Sequence, residues 1–354
     1  MSDLTRQDRQ QLGSVYAPPA ARTGWRLEQL VDGAPVRYFS HGRHALAAAL
    51  EAVGTGAGDT VLLPAFICRE VLSAVHARGA RAAYYAVDRA LGLAGDAAAM
   101  PPAKAIVAVD YFGFAQDLAP FAAYCARSGA ALIEDNAHGL FSRDAAGRVL
   151  GTRGDLGVFS IRKTLATPDG AALVCNKSGC TPPPQLPFDR AAPSATFRFK
   201  RRLRALARCT GPWPARAATS LIRLARRLKT GHAIAPSSPQ SETQLPAGAA
   251  PNQLLLDVMA ATDVTAECAR RRELYRLLPA LLDPARYPPL HAELPPGTVP
   301  YGYPFIADAN TGAAAGRLLA AHGLECFRWP ALPDAVAPTA PAHYTSVWLV
   351  SFLW

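Results

Sequence analysis

The chain has 354 residues, of which 50% are hydrophobic and 18% charged, a balance that suits a globular protein with a sizeable core and excludes a disordered one. The net charge of +10 is local: Arg198 to Lys229 holds 11 Lys or Arg and no acidic residue, leaving 26 basic against 27 acidic residues elsewhere. The basic balance is therefore no sign of a nucleic-acid-binding core, and no nucleic acid is expected as a partner.

The polar amino terminus, Met1 to Gln10, lacks the apolar centre of a signal peptide. No run approaches the roughly 18 apolar residues of a spanning helix, so a cytoplasmic location is expected. Ala45 to Val53 predicts a short helix, Thr60 to Pro64 a buried strand, Ile67 to Ala77 a helix and Arg81 to Val87 an extended segment. Lys104 to Val109 follows as a strand, Leu118 to Arg127 as a helix and Ala130 to Glu134 as another strand. Continuous apolar strands alternating with helices indicate a mostly parallel sheet covered on both faces, an α/β architecture. Sites in such folds lie at the carboxyl ends of strands.

After Asn176 a proline-rich loop and the basic segment interrupt this pattern, and 235–251 reads as a linker. A long helical pattern runs from Asn252 to about Leu282. Then come a strand at Tyr301 to Ile306, a helix at Ala313 to Ala321 and a strand near Val347 to Phe352, predicting a small α+β domain. The expected organisation is an amino-terminal arm (1–37), a large cofactor-binding domain (38–180), proline-rich loops with a basic helical insertion (181–251) and a small carboxyl-terminal domain (252–354). Seven cysteines without a Cys-x-x-Cys pair predict reduced, mostly buried thiols and no structural metal.

The chemistry is concentrated in Leu132-Ile-Glu-Asp-Asn-Ala-His-Gly139 and Gly154-Asp-Leu-Gly-Val-Phe-Ser-Ile-Arg-Lys163. One apolar run ends on Asp135 and a second ends on the Ser-x-x-Lys pair Ser160 and Lys163. That set suits pyridoxal 5'-phosphate (PLP): a lysine for the cofactor's aldehyde, an aspartate for its ring nitrogen and a small hydroxyl for its phosphate. Burial or a neighbouring cation such as Arg162 would lower the lysine's pKa and free its lone pair. Asp135 read alone also fits a cap on the Ala137 amide, and His138 fits either ring contact or an ordinary structural role. Ser40-His-Gly-Arg-His-Ala-Leu46 enters the first helix, where free N–H groups and the helix dipole favour a phosphate. Gly42 and Arg43 are the candidates there.

Together these segments resemble the DegT/StrS-type sugar aminotransferases, fold-type I PLP-dependent enzymes. The likeness rests on Gly42-Arg-His-Ala-Leu46, Gly58-Asp-Thr-Val-Leu-Leu-Pro64, Tyr111-Phe-Gly113 and Ile133-Glu-Asp-Asn-Ala-His138. Gly151-Thr-x-Gly-Asp155 with Phe159-Ser160 continues it, and Arg271-Arg272, Tyr275, Gly323-Leu324 and Trp329-Pro-Ala-Leu-Pro333 extend it to the end. The resemblance implies that Lys163 bonds the cofactor, Asp135 meets the pyridine nitrogen and His138 lies by the ring hydroxyl. It also implies that Gly42, Arg43 and Ser160 surround the phosphate, and that two copies form a homodimer with shared active sites.

Several positions depart from the family pattern. His41 and Arg43 replace small hydroxyl residues, only two residues separate Ser160 from Lys163, and Asp169-Gly-Ala171 stands for Glu-Gly-Gly. Cys68 occupies the place of a stacking aromatic, for which Phe66 is a candidate, and the Asn-x-Arg-Met element is not recognisable. The resulting expectation is a PLP-dependent aminotransferase acting on a keto-sugar, nucleotide-linked, with glutamate as donor, in cell-surface glycan or secondary-metabolite biosynthesis. The alternatives are a PLP-dependent dehydratase or eliminase, against which Lys163 counts, and a scaffold whose working part is the basic segment. In that segment Phe199, Leu203 and Leu206 form one apolar stripe and Ala217, Leu221, Leu224 and Leu228 another. The pattern is that of helices on an anionic membrane surface, which would place the protein at the inner face of the membrane; a helical insertion packed on the core is the plainer reading.

Overall fold

A computed structural model describes residues 5–13, 23–178, 180–211, 213–230 and 238–353. The chain begins with α1 (Arg6–Gly13), α2 (Leu27–Leu30), β1 (Val36–Phe39), α3 (Gly42–Ala52), β2 (Thr60–Pro64) and α4 (Leu72–His76). It continues through β3 (Arg81–Tyr85), β4 (Ala105–Val109), α5 (Ala119–Ser128), β5 (Ala131–Asn136), β6 (Leu156–Phe159) and β7 (Ala171–Cys175). Two helices, α6 (Ala195–Thr210) and α7 (Trp213–Thr230), precede α8 (Leu254–Ala260) and α9 (Val264–Leu281). The last elements are β8 (Gly302–Ile306), α10 (Ala309–Ala321), β9 (Glu325–Arg328), α11 (Ala342–Thr345) and β10 (Val347–Ser351).

Seven strands form one sheet in the order β1-β7-β6-β5-β4-β2-β3. From β3 to β6 all neighbours are parallel, while β7 is antiparallel to both β6 and β1. The apolar runs explain this: β4 is buried at every position, as a strand with both faces covered must be. Helix α3 lies against β6 and β7 with His44, Ala45, Leu46, Ala48, Ala49 and Leu50 buried. A second sheet, β8-β10-β9, is wholly antiparallel and carries α10 against β9.

Several expectations need correction. The helix expected over Ile67 to Ala77 is a 3₁₀ turn (Arg69–Val71) followed by the short α4. The long helix expected from Asn252 is broken between α8 and α9, where the Asp263 carboxylate caps Ala266 N–H at 2.9 Å and restarts the helix. β5 runs to Asn136, so Asp135 lies inside the strand rather than past its end.

The expected linker 235–251, whose first residues lie outside the described ones, is packed on the core where it is described. Ser40 Oγ donates to Gly248 O at 2.6 Å, His44 Nε2 pairs with Pro246 O at 3.0 Å, and Glu242 is buried with Asp334 N–H on its carboxylate at 2.8 Å. All seven cysteines are free; Cys175 is buried, Cys209 is exposed and the other five are half-buried. Parts of the expected amino-terminal arm lie outside the described residues.

Candidate active site

The carboxyl ends of β2, β4, β5 and β6, with the amino end of α3, enclose a cavity of about 260 Å³. Lys163, Asp135, His138, Ser160, Gly42 and Arg43 all line it. The sheet thus brings these six candidate residues together, but not Phe66.

Lys163 reaches the cavity because β6 ends at Phe159 and a single 3₁₀ turn, Ile161–Lys163, follows, with Lys163 N–H donating to Ser160 O at 3.1 Å. Its i,i+3 geometry returns Lys163 beside Ser160 with only two residues between. Arg162 N–H holds the turn to Gly170 O at 3.0 Å, and Gly170 N–H is bonded to Ser40 O at 2.7 Å. Gly170 has φ +134, and a Cβ there would meet Leu255 Cδ1 at 2.6 Å. This backbone path is open only to glycine.

The Lys163 Nζ lies 3.0 Å from His138 Nε2, and His138 Nδ1 accepts Phe112 N–H at 3.2 Å. An accepting Nδ1 is unprotonated, so the neutral ring carries its proton on Nε2. Nε2–H must then donate to Nζ, which requires a neutral amine. The electrostatics agree. Burial pulls the Lys163 pKa below its ordinary value, and Arg162 adds to the effect against the opposing pull of Cys68 and Asp135. Burial, then Lys163, hold His138 well below the usual imidazole range.

Adjacent residues of β5 point to opposite sides, as strand geometry demands. Glu134 faces away from the cavity and, with Asp110, binds the Arg153 guanidinium at 2.7 Å, all three side chains being buried. Asp135 faces the cavity. Its Oδ1 accepts Ala137 N–H at 3.0 Å, and its other oxygen has no hydrogen-bond donor among the described residues. One carboxylate therefore serves as a turn cap through one oxygen and leaves the second for a ligand. Burial raises its pKa, against the pull of Lys163 and the Ala137 amide.

At the other end of the cavity the first turn of α3 presents the Gly42 and Arg43 N–H groups. A Cβ placed on Gly42 would sit 3.8 Å from Ser160 Cβ, so the helix end and the serine share one corner. Arg162 lines the same cavity, and its buried Nε has no hydrogen-bond partner. Burial first, then Arg162 and Arg43, lower the His41 pKa to about 4. Cations facing one another around an N-terminal helix turn make a site for an anion.

The aromatics differ from expectation. Phe66 is fully buried and sits behind Trp329 with ring centroids 5.2 Å apart; it does not line the cavity. Trp329 and Tyr301 do. Tyr301 lies parallel to His138 at 4.6 Å, and Trp329 meets His138 edge-on at 5.4 Å. Cys68 lines the cavity, with its thiol pushed up to about 12 mainly by burial. Arg271, noted as a family-like residue of the long helix, is buried and ties the site to β8. It pairs with Glu267 at 2.7 Å and donates to Thr164 O at 2.7 Å and Tyr301 O at 3.1 Å.

Residues 32–180 match the DegT/DnrJ/EryC1/StrS aminotransferase family. The L-glutamine:2-deoxy-scyllo-inosose aminotransferase of Streptoalloteichus tenebrarius is 37% identical over 147 residues, 39% of this chain and 34% of that one. The dTDP-4-dehydro-2,3,6-trideoxy-D-glucose 4-aminotransferase of Saccharopolyspora spinosa is 34% identical over 146 residues, 40% of this chain and 38% of that one. The chain thus spans about a third of the length of these curated relatives, 34% and 38%. Among solved structures, the aminotransferase TlmJ from Streptoalloteichus hindustanus superposes with a TM-score of 0.61 at 23% identity, covering 99% of this chain and 91% of that one. The 3-amino-5-hydroxybenzoic acid synthase structure gives 0.61 at 20% identity, covering 99% and 92%. The chain shares the fold of these two structures, a large mostly parallel sheet flanked by helices with a smaller antiparallel sheet beyond it.

Proposed function

We propose that the protein is a PLP-dependent aminotransferase that aminates a nucleotide-linked keto-sugar with glutamate as donor, in the making of a cell-surface glycan or secondary metabolite. The observation that carries this reading is the buried Lys163 amine, its Nζ 3.0 Å from His138 Nε2, in the same cavity as the free oxygen of Asp135. The residues fit PLP. The cofactor is amine-reactive at one end and anionic at the other, and the cavity offers an amine with a lowered pKa at one end and cations with free helix N–H groups at the other. At about 260 Å³ it lies just below the size of ligand sites, about 300–1,000 Å³. That is room for a compact cofactor, so most of a nucleotide-sugar would lie at its mouth.

Bound there, PLP supplies an aldehyde for Lys163 and an electron-withdrawing ring. The free Asp135 oxygen would hold a proton on the ring nitrogen. Gly42, Arg43, Ser160 and Arg162 would hold the phosphate. Lys163 Nζ, when free, would serve as the base, and His138 Nε2 would keep it aimed. A cavity walled by Trp329, Tyr301 and Cys68 keeps bulk water from that proton.

The donor has two candidates, because relatives carry L-glutamine in their names. The reading also includes a homodimer with shared sites and a cytoplasmic location. Among the described residues no helix is long and apolar enough to cross a membrane. The test is reduction of the PLP-loaded protein with borohydride, followed by peptide mass spectrometry and a half-reaction with L-glutamate or L-glutamine. A pyridoxyl group on Lys163 and conversion of one donor to its 2-oxo acid are expected. An adduct on another lysine, or no reaction with either donor, would overturn the reading.

A further inference from the structure

Seven large apolar side chains are exposed among the described residues, and six belong to the α6–α7 hairpin. They are Phe199 at 44% exposure, Leu206 at 43%, Trp213 at 75%, Leu221 at 67%, Leu224 at 54% and Leu228 at 80%. In α7 the exposed residues fall at i, i+8, i+11 and i+15, within about 80° of arc. The opposite face, with Ala215 and Thr219, is buried. In α6, Leu203 and Ala207 are buried while Phe199 and Leu206, seven residues apart, are exposed. The stripe expected to unite Phe199, Leu203 and Leu206 is thus split: the hairpin docks through small and inward residues and keeps its largest apolar ones outside. A packed insertion has no use for that distribution.

We propose that this outer face docks on the headgroup region of an anionic lipid bilayer. Charge selects the partner. The hairpin spans the segment with 11 Lys or Arg and no acidic residue, and α6 exposes Arg198, Arg201 and Arg202. Pairing with the same face of a second copy would bring two such cationic segments together without a counter-charge. A nucleic acid would match the cations but leave four exposed leucines without a partner. An anionic bilayer surface takes both, cations at the phosphates and leucines with Trp213 at the acyl boundary. This inference stands apart from the transaminase reading, because none of these residues lines the cavity.

The test is flotation of the full chain with phosphatidylglycerol/phosphatidylcholine vesicles and with phosphatidylcholine alone, at low and high salt. Binding should require the anionic lipid and weaken with salt. The triple variant L221S/L224S/L228S keeps every cation and alters only exposed side chains, so its circular dichroism should match the wild type. Its partitioning should fall by at least tenfold, since a fully buried leucine is worth about tenfold or more. Trp213→Phe should remove a blue shift in tryptophan emission seen when anionic vesicles are added. Equal flotation with both vesicle types at low salt would overturn the proposal. So would a triple variant that binds like the wild type, or one that becomes monomeric where the wild type is a dimer; the last result would assign the face to a second copy.

Discussion

Asp135→Asn separates the two duties of one carboxylate. In the native site Oδ1 accepts Ala137 N–H at 3.0 Å while the other oxygen faces the cavity. Asparagine has the same shape and keeps a carbonyl oxygen for the Ala137 amide, so the turn survives. Its second atom becomes an NH2 group, a donor where the proposed ring N–H needs an acceptor. A hydrogen bond to a charged partner is worth about 1.5–3 kcal/mol, so losing it in the transition state slows turnover by roughly 10–150-fold. Stability should not suffer: burial already raises the Asp135 pKa, so the fold disfavours the charged form that asparagine removes. The assay compares turnover, retained visible absorbance and thermal midpoint in wild type and variant. A variant that turns over at the wild-type rate would show that Asp135 is only a turn cap. One that fails to fold would show that its charge is structural.

Arg162→Gln should weaken PLP binding by roughly 10–100-fold while leaving pyridoxal, which has no phosphate, bound as before; equal losses for both ligands in absorbance titrations would remove Arg162 from the phosphate site. Arg271→Met should cost about 3 kcal/mol or more in urea unfolding, because it strands the Thr164, Pro300 and Tyr301 carbonyls and leaves Glu267 with Arg270 alone; a loss below about 0.5 kcal/mol would refute this. His291 is stacked on Phe114 at 3.9 Å, and burial lowers its pKa from 6.5 to about 4. Between those values the unfolded state binds more protons, so stability should rise with pH across that window. His291→Phe should flatten the profile by at most about 3 kcal/mol; an unchanged profile would mean that other groups set it.

The strands of the main sheet were legible because buried parallel strands are continuous apolar runs, and Thr60-Val-Leu-Leu-Pro64 can form little else. Asp135 and Lys163 were legible because a carboxylate or an amine ending such a run has nowhere to go but the strand-end cleft. Trp329 was legible as a family-like residue but not as the cavity wall. It arrives from β9, more than 150 residues beyond Lys163, and no local period encodes that approach. Phe66 was misplaced because proximity in sequence to Cys68 does not tell which side of the chain faces the cavity. The break at Asp263 had a signal, Thr262-Asp263 ahead of a helical run, which apolar periodicity overrode. The 238–251 stretch read as a linker because its fixed contacts, such as Pro246 O on His44 and Gly248 O on Ser40, are made by backbone carbonyls that carry no sequence label.

The setting of the Lys163 amine traces back to a strained turn. Phe112 sits at φ 57 and ψ 13 inside the Tyr111–Gly113 turn, left-handed geometry that costs a bulky residue roughly 1–3 kcal/mol. The neighbouring Gly113, at φ +91, leaves no room for a Cβ, which would lie 2.7 Å from Val299 O. This turn aims Phe112 N–H at His138 Nδ1 and lets Phe112 O accept Tyr301 N–H at 2.8 Å. The first bond sets the His138 tautomer and the second brings in the ring that stacks on it. With the proton fixed on Nε2 and the imidazole clamped between Phe112 and Tyr301, an ammonium at Lys163 would meet a donor rather than an acceptor. Burial alone would lower the lysine's pKa without choosing a direction for its lone pair. The histidine supplies that direction, and in the proposed reaction the strain at Phe112 would serve to hold the amine ready for a cofactor.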